Sequence, residues 1–158
     1  MQAKVRTCLW FERDALEAAK FYVSLLPDSR IEKSDSFEHM LTGEPDGVSI
    51  VEFTLAGAPY QILQAGPHQQ LNDMMSIVVM TDSQAETDRL WEALTANGGT
   101  PVQCGWLKDR WGVSWQIVPR RVSELIASGD STSVHRMLQA MMPMQKLDIA
   151  ALEAAYRG

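Results

Sequence analysis

Cysteine, histidine and basic charge are scarce in this chain. Two cysteines, Cys8 and Cys104, and three histidines stand among 158 residues. No CxxC pair occurs, so neither a disulfide framework nor a zinc knuckle is implied. Fourteen Lys and Arg against twenty Asp and Glu give a net charge of -6 and a pI near 5.0, which argues against a nucleic-acid surface. The sequence reads without a signal peptide or an apolar run of membrane length. The reducing cytoplasm is therefore the expected location, with no membrane partner. A glycine-rich dinucleotide turn, a P-loop, a GxSxG elbow and an HExxH pair are also missing, which removes the chemistries that depend on them. Cys8 lies in an apolar run with no evident base nearby and reads as a buried thiol rather than a nucleophile.

What is present is an ordinary globular composition, 46 % hydrophobic and 22 % charged, long enough for one domain over residues 1–158 with a sizeable core. The aromatics are unevenly spread. Residues 105–119 carry Trp106, Trp111 and Trp115, three of the five tryptophans, around a Trp111-Gly112 pair that reads as a tight turn between two strands. Rings, Gln116 and the charged Lys108-Asp109-Arg110 group suit a pocket wall. They suit equally a hairpin whose tryptophans fill the core. Asp109 and Lys108 become acid-base candidates if a pocket desolvates them; otherwise they form a solvated turn.

That stretch has an echo. Gly57-Ala58-Pro59-Tyr60-Gln61-Ile62 and Gly112-Val113-Ser114-Trp115-Gln116-Ile117 share glycine, two residues, an aromatic, Gln and Ile. Each copy closes a half that opens with an apolar strand and a helix. The pattern predicts an internal duplication, strand-helix-strand-strand-strand twice, with modules over about residues 4–66 and 74–119. A helical extension is expected over 120–158.

Along the chain, residues 5–11 predict a buried strand and 14–26 a helix capped by Asp14, with Glu17 as its capping-box partner. Residues 30–39 predict a polar strand, 42–47 a turn, 48–55 a half-buried alternating strand and 60–64 its hairpin partner. His68, in the crossover 66–70, is a ligand or acid-base candidate, although a solvated loop histidine is the plainer reading. In the second half, 74–80 predict a strand, 83–97 a helix capped by Ser83 and closed by Asn97-Gly98-Gly99, and 100–104, 106–110 and 113–118 three strands. Helices are predicted over 122–127, 131–142 and from Asp148 to Tyr156. Met137, Met141, Met142 and Met144 offer either a plastic partner-binding surface or simple packing against the sheet.

Cys8-Leu9-Trp10-Phe11, Ala18-Ala19-Lys20-Phe21-Tyr22, Leu26-Pro27-Asp28-Ser29, Gly66-Pro67-His68, the run from Cys104 to Arg110, Trp115-Gln116-Ile117-Val118-Pro119 and the tail from Lys146 to Leu152 together resemble the PhnB-like family. That family is also labelled 3-demethylubiquinone-9 3-methyltransferase-like and belongs to the vicinal oxygen chelate superfamily of glyoxalases, bleomycin-resistance proteins and extradiol dioxygenases. The resemblance implies an α+β fold of two βαβββ modules forming an open mixed β-barrel around a cavity, in a homodimer. It also implies metal ligands on the first and fourth strands of each module. Counted from the helices and the glycine turns, those positions fall on Thr7, Gln61, Ser76 and Gln116. Four neutral side chains are poor ligands for a divalent ion. A cavity that binds a small aromatic or polar molecule without a tight metal is therefore expected, with Trp10, Tyr60, Trp106, Trp111 and Trp115 as stacking surfaces, Asp109 and Lys108 near its mouth and His68 as a further ligand-binding candidate. The alternatives are a metal-dependent lyase, isomerase or dioxygenase, an interaction module using the Met-rich helix, and the methyltransferase of the family label. The last lacks the glycine-rich turn of a Rossmann-type S-adenosylmethionine enzyme.

Overall fold

The computed structural model describes residues 3–37, 47–128 and 130–158. The turn expected over 42–47 and the end of the strand expected over 30–39 lie largely outside them. The chain divides into two compact units, Met1–Leu71 and Asn72–Gly158.

The first unit contains β1 (Thr7–Phe11), α1 (Ala15–Leu25), β2 (Arg30–Phe37), β3 (Val48–Leu55) and β4 (Ala58–Gln64). Its sheet has the order β1-β4-β3-β2, with β1 parallel to β4 and the other pairs antiparallel. The β3–β4 hairpin turns through Ala56 and Gly57, both at positive φ (47° and 80°), the backbone a two-residue hairpin needs. Alternation then sorts the side chains. Leu9 and Phe11, Val51, Phe53 and Leu55, and Ile62 are buried together with Ala18, Ala19 and Tyr22 of α1. Rings at 6.2 Å (Tyr22–Phe53) and 5.5 Å (Phe53–Tyr60) join the helix to this face. Full burial of each large apolar side chain contributes about 1.5–3 kcal/mol.

The start of α1 departs from expectation. Asp14 adopts a left-handed backbone (φ 65°) and makes no side-chain cap bond. The first helical amide, Ala15 N–H, donates instead to Gln64 Oε1 at 3.1 Å, so the end of β4 caps the helix. A sequence-local capping rule has no access to a partner forty-nine residues away.

The second unit repeats the plan with β5 (Ile77–Thr81), α2 (Gln84–Thr95), β6 (Thr100–Pro101), β7 (Trp106–Lys108) and β8 (Ser114–Pro119), in the order β5-β8-β7-β6. Each module's four strands thus form a mixed sheet, and the α+β fold is two βαβββ modules followed by helices. The strand expected over 74–80 begins only at Ile77, and that over 100–104 is reduced to two residues. Ser83 caps α2 through Glu86 N–H at 3.1 Å, while Glu86 accepts from Asp82 N–H at 2.8 Å, a reciprocal box. Thr81 and Thr87 hydroxyls meet at 2.7 Å and fix which face of the sheet α2 covers. Ile77, Val79, Leu107, Trp115 and Ile117 are buried on that face with Leu90 and Leu94 of α2.

The extension forms α3 (Arg120–Ser128), α4 (Ser131–Met141) and α5 (Ile149–Arg157). Val122, Leu125, Met137, Leu147 and Leu152 make one buried cluster, flanked by Val118, Met141 and Met144. The methionine stripe therefore packs inward; only Met142 is largely exposed among its four members. That burial removes the basis for reading it as a partner-binding surface. Gln84 is tied to the tail, donating to Leu147 O at 3.1 Å and accepting from Ile149 N–H at 2.8 Å. No helix among the described residues is long and apolar enough to cross a membrane.

Candidate functional site

Each sheet has one face under its helix and one face opposite, and the polar residues collect on the latter. In the first module the parallel register sets Cys8 beside Gln61, and Gln61 Nε2 donates to Cys8 Sγ at 3.4 Å. Glu52 is the antiparallel neighbour of Gln61 on β3. Glu32 sits where the β2–β3 register slips between Ile31 and Lys33, and a bulge there re-aims a side chain. Arg6, immediately before β1, joins these groups. Its guanidinium pairs with Glu32, lies 3.5 Å from Glu52, and donates to Tyr60 O at 3.3 Å. Thr54 also donates to Glu32. The Thr54 hydroxyl, then the Arg6 guanidinium, holds the Glu32 carboxyl below its ordinary value.

In the second module the register sets Val78 beside Gln116. Gln116 Nε2 donates to Ser76 Oγ at 2.8 Å. Trp106 and Lys108 lie opposite Gln116 and Ser114 on β7. Asp73 accepts from Ser114 Oγ at 2.7 Å and from Lys108 Nζ at 3.1 Å, and those two donors, the hydroxyl first, lower its carboxyl pKa.

The structure separates several residues that the sequence grouped. Gln61 occupies the polar face of the first module, and Ser76 and Gln116 together occupy that of the second. Thr7 is the register partner of Tyr60, whose ring stacks on Phe53, so both lie on the face that α1 covers. Burial raises the Tyr60 phenol pKa. Aligning the glutamines makes Cys8 the counterpart of Val78, and hence Arg6, not Thr7, the counterpart of Ser76. Counting from the helices missed this by one residue, and one residue along a strand exchanges its faces. Trp115 is wholly buried on the α2 side, its indole N–H donating to Asp109 Oδ2 at 2.9 Å. Asp109, 3 % exposed, also accepts from Trp111 and Val113 N–H at 2.9 and 3.0 Å; it closes the β7–β8 turn from inside, buried rather than solvated. Trp111 carries Arg110 over its ring at 4.1 Å. Trp10 donates to Gly66 O at 2.9 Å and meets the exposed His68 edge-on at 6.4 Å. Cys8 is exposed, not buried. Arg6, Glu32 and Glu52 went unnoticed in the sequence. Glu52, on the polar side of an alternating strand, was the available signal.

The donor chemistry bears on a metal. Two carboxamides and a hydroxyl remain at the positions that the superfamily pattern reserves for ligands, and the counterpart of the hydroxyl is a guanidinium. An arginine that already engages the Glu32 and Glu52 carboxylates, beside neutral amide and hydroxyl groups, does not fit a divalent ion. Among the described residues no three His, Cys, Asp or Glu side chains gather as a metal site.

A family model described as 3-demethylubiquinone-9 3-methyltransferase matches residues 3–118. Among solved structures, the PhnB protein from Bacillus cereus is 28 % identical with a TM-score of 0.66, over 74 % of this chain and 99 % of that one. Protein PA1353 from Pseudomonas aeruginosa shares the fold at 20 % identity and a TM-score of 0.62, over 75 % and 98 % of the two chains. So does the fosfomycin resistance protein FosX from Mesorhizobium loti, at 15 % and 0.56, over 80 % and 98 %. No curated protein sequence matches the chain.

Proposed function

The chain belongs to the PhnB-like, 3-demethylubiquinone-9 3-methyltransferase family of the vicinal oxygen chelate superfamily, and on that premise we propose that it binds a small aromatic or polar molecule without a tightly held metal. One observation carries the reading. The fourth-strand residue of each module is a glutamine whose amide is already hydrogen-bonded to a neutral neighbour, Cys8 or Ser76. Such groups offer donors and acceptors to an organic ligand and little charge to a metal ion. Trp10 and Trp106 supply aromatic surface beside them.

Native mass spectrometry with elemental analysis tests this. We expect a homodimer free of stoichiometric metal that retains an organic molecule or takes one up. Near-unit zinc, nickel, iron or manganese would overturn the reading in favour of a metal-dependent lyase, isomerase or dioxygenase. Gln61→Glu with Gln116→Glu should create metal affinity that the parent lacks. Methyl transfer as in the family label finds no support in the first module, where β1 runs through Glu12, Arg13 and Asp14 into α1 without a glycine. Transfer of a labelled methyl group would refute that point. The proposed location is the cytoplasm.

A further inference from the structure

We propose that the modules are unequal and that the face around Ser76, Gln116 and Trp106 takes the ligand. That ligand is an uncharged planar ring bearing an amide-like donor and acceptor. The inference rests on the small-molecule reading above and names its site and chemical class.

The two sheets place different residues at the same register position. In the first module it holds Arg6, whose side chain is 8 % exposed and engages Glu32, Glu52 and the Tyr60 carbonyl. Glu32 also takes the Thr54 hydroxyl. These polar groups saturate one another, so a ligand would have to break a partly buried ion network to reach them. The first face is largely self-occupied.

Ser76 stands at that position in the second module, too short to cover what lies beside it. Val78, the second residue of β5, remains 51 % exposed. Gln116 spends one N–H on Ser76 at 2.8 Å, which leaves its carboxamide oxygen, its second N–H and the Ser76 hydroxyl proton for a ligand. Trp106 is the antiparallel partner of Gln116, and such cross-strand side chains stand about 5 Å apart. A ring laid on the Trp106 indole therefore brings an attached amide to the Gln116 carboxamide, with Val78 as apolar floor. Charge sets the class. Lys108 and Asp73 neutralise each other at 3.1 Å, so this face carries no net charge to draw an acid or an amine.

Isothermal titration of the full-length protein with benzamide, benzoate and benzylamine tests both parts. Benzamide should bind, and bind tighter than either charged analogue by about tenfold, the cost of desolvating an unpaired charge being at least that of a lost hydrogen bond. Gln116→Leu and Trp106→Ala should each weaken benzamide by about tenfold, and by clearly more than Gln61→Leu does. Ser76→Ala, a milder change, should weaken it about fivefold and serves if the tryptophan variant loses its circular dichroism. A loss on Gln61→Leu equal to that on Gln116→Leu, or charged analogues binding as tightly as benzamide, overturns this inference and leaves the binding reading standing. No binding of any of the three, with no organic molecule retained in the native mass spectrum, overturns both.

Discussion

Arg6 and Glu32 form an ion pair although they belong to opposite edges of one four-stranded sheet. Three strand spacings of about 4.8 Å would hold those edges roughly 14 Å apart in a flat sheet. Two extended side chains, with Glu52 of β3 between, bridge that width across the face opposite α1. The register slip at Glu32 supplies the local twist.

The pair makes stability depend on pH in a defined direction. Glu32 titrates below its ordinary value of 4.5 in the folded protein because of Thr54 and then Arg6. Its contribution is therefore complete above the unfolded value and is lost as pH falls through the lower folded one. Glu32→Gln should be less stable than the parent by about 1 kcal/mol near neutral pH, and the gap should shrink as pH falls below the ordinary glutamate value. Urea midpoints across that range check it; a gap that widens in acid would contradict it.

Asp109 holds three N–H groups inside the second module. Asp109→Ala removes the acceptor of all three bonds, two of them buried, and should cost about 3–5 kcal/mol in denaturant unfolding. Asp109→Asn keeps an acceptor oxygen and should cost less. Equal stability of the alanine variant would show that the carboxylate does not order the turn.

Gln64→Ala removes the distant cap of α1 and should cost about 1 kcal/mol. Asp14→Gly should change little or stabilise slightly, because glycine accepts the left-handed backbone and no cap bond is lost. The reverse order of effects would restore Asp14 as the cap.

Met137→Ala should cost about 2–5 kcal/mol, since its side chain is wholly buried between the C-terminal helices. Met142→Ala, at an exposed position, should stay within about 0.5 kcal/mol of the parent. Thermal and urea unfolding of the two variants separates packing from any surface role.

Element order was legible because each strand and helix carries its own periodicity, and the Gln61 and Gln116 echo located the fourth strands without any tertiary information. Facing was harder. Whether Thr7 looks toward α1 or away depends on which residue of β4 it neighbours, a relation fixed by pairing rather than by distance from Phe21. Trp115 had the same ambiguity: an indole suits a core or a cavity until its N–H partner is known, and Asp109 supplies it. The Arg6 network lay beyond reach because its members are far apart in sequence and meet only once the four strands pair.

Cys104 and Gly105 N–H donate to the Met144 and Gln145 carbonyls at 2.7 and 2.8 Å, and a Cβ on Gly105 would meet Ile117 O at 2.8 Å and Leu147 at 3.2 Å. Main chain from the tail is thus laced into the start of β7, while Val118 closes the cluster that the last helices build. The match to the family model ends at residue 118, but these contacts run past it. A fragment ended at residue 118 would lose the Met144 and Gln145 carbonyls and the Leu147 side chain that the start of this hairpin packs against.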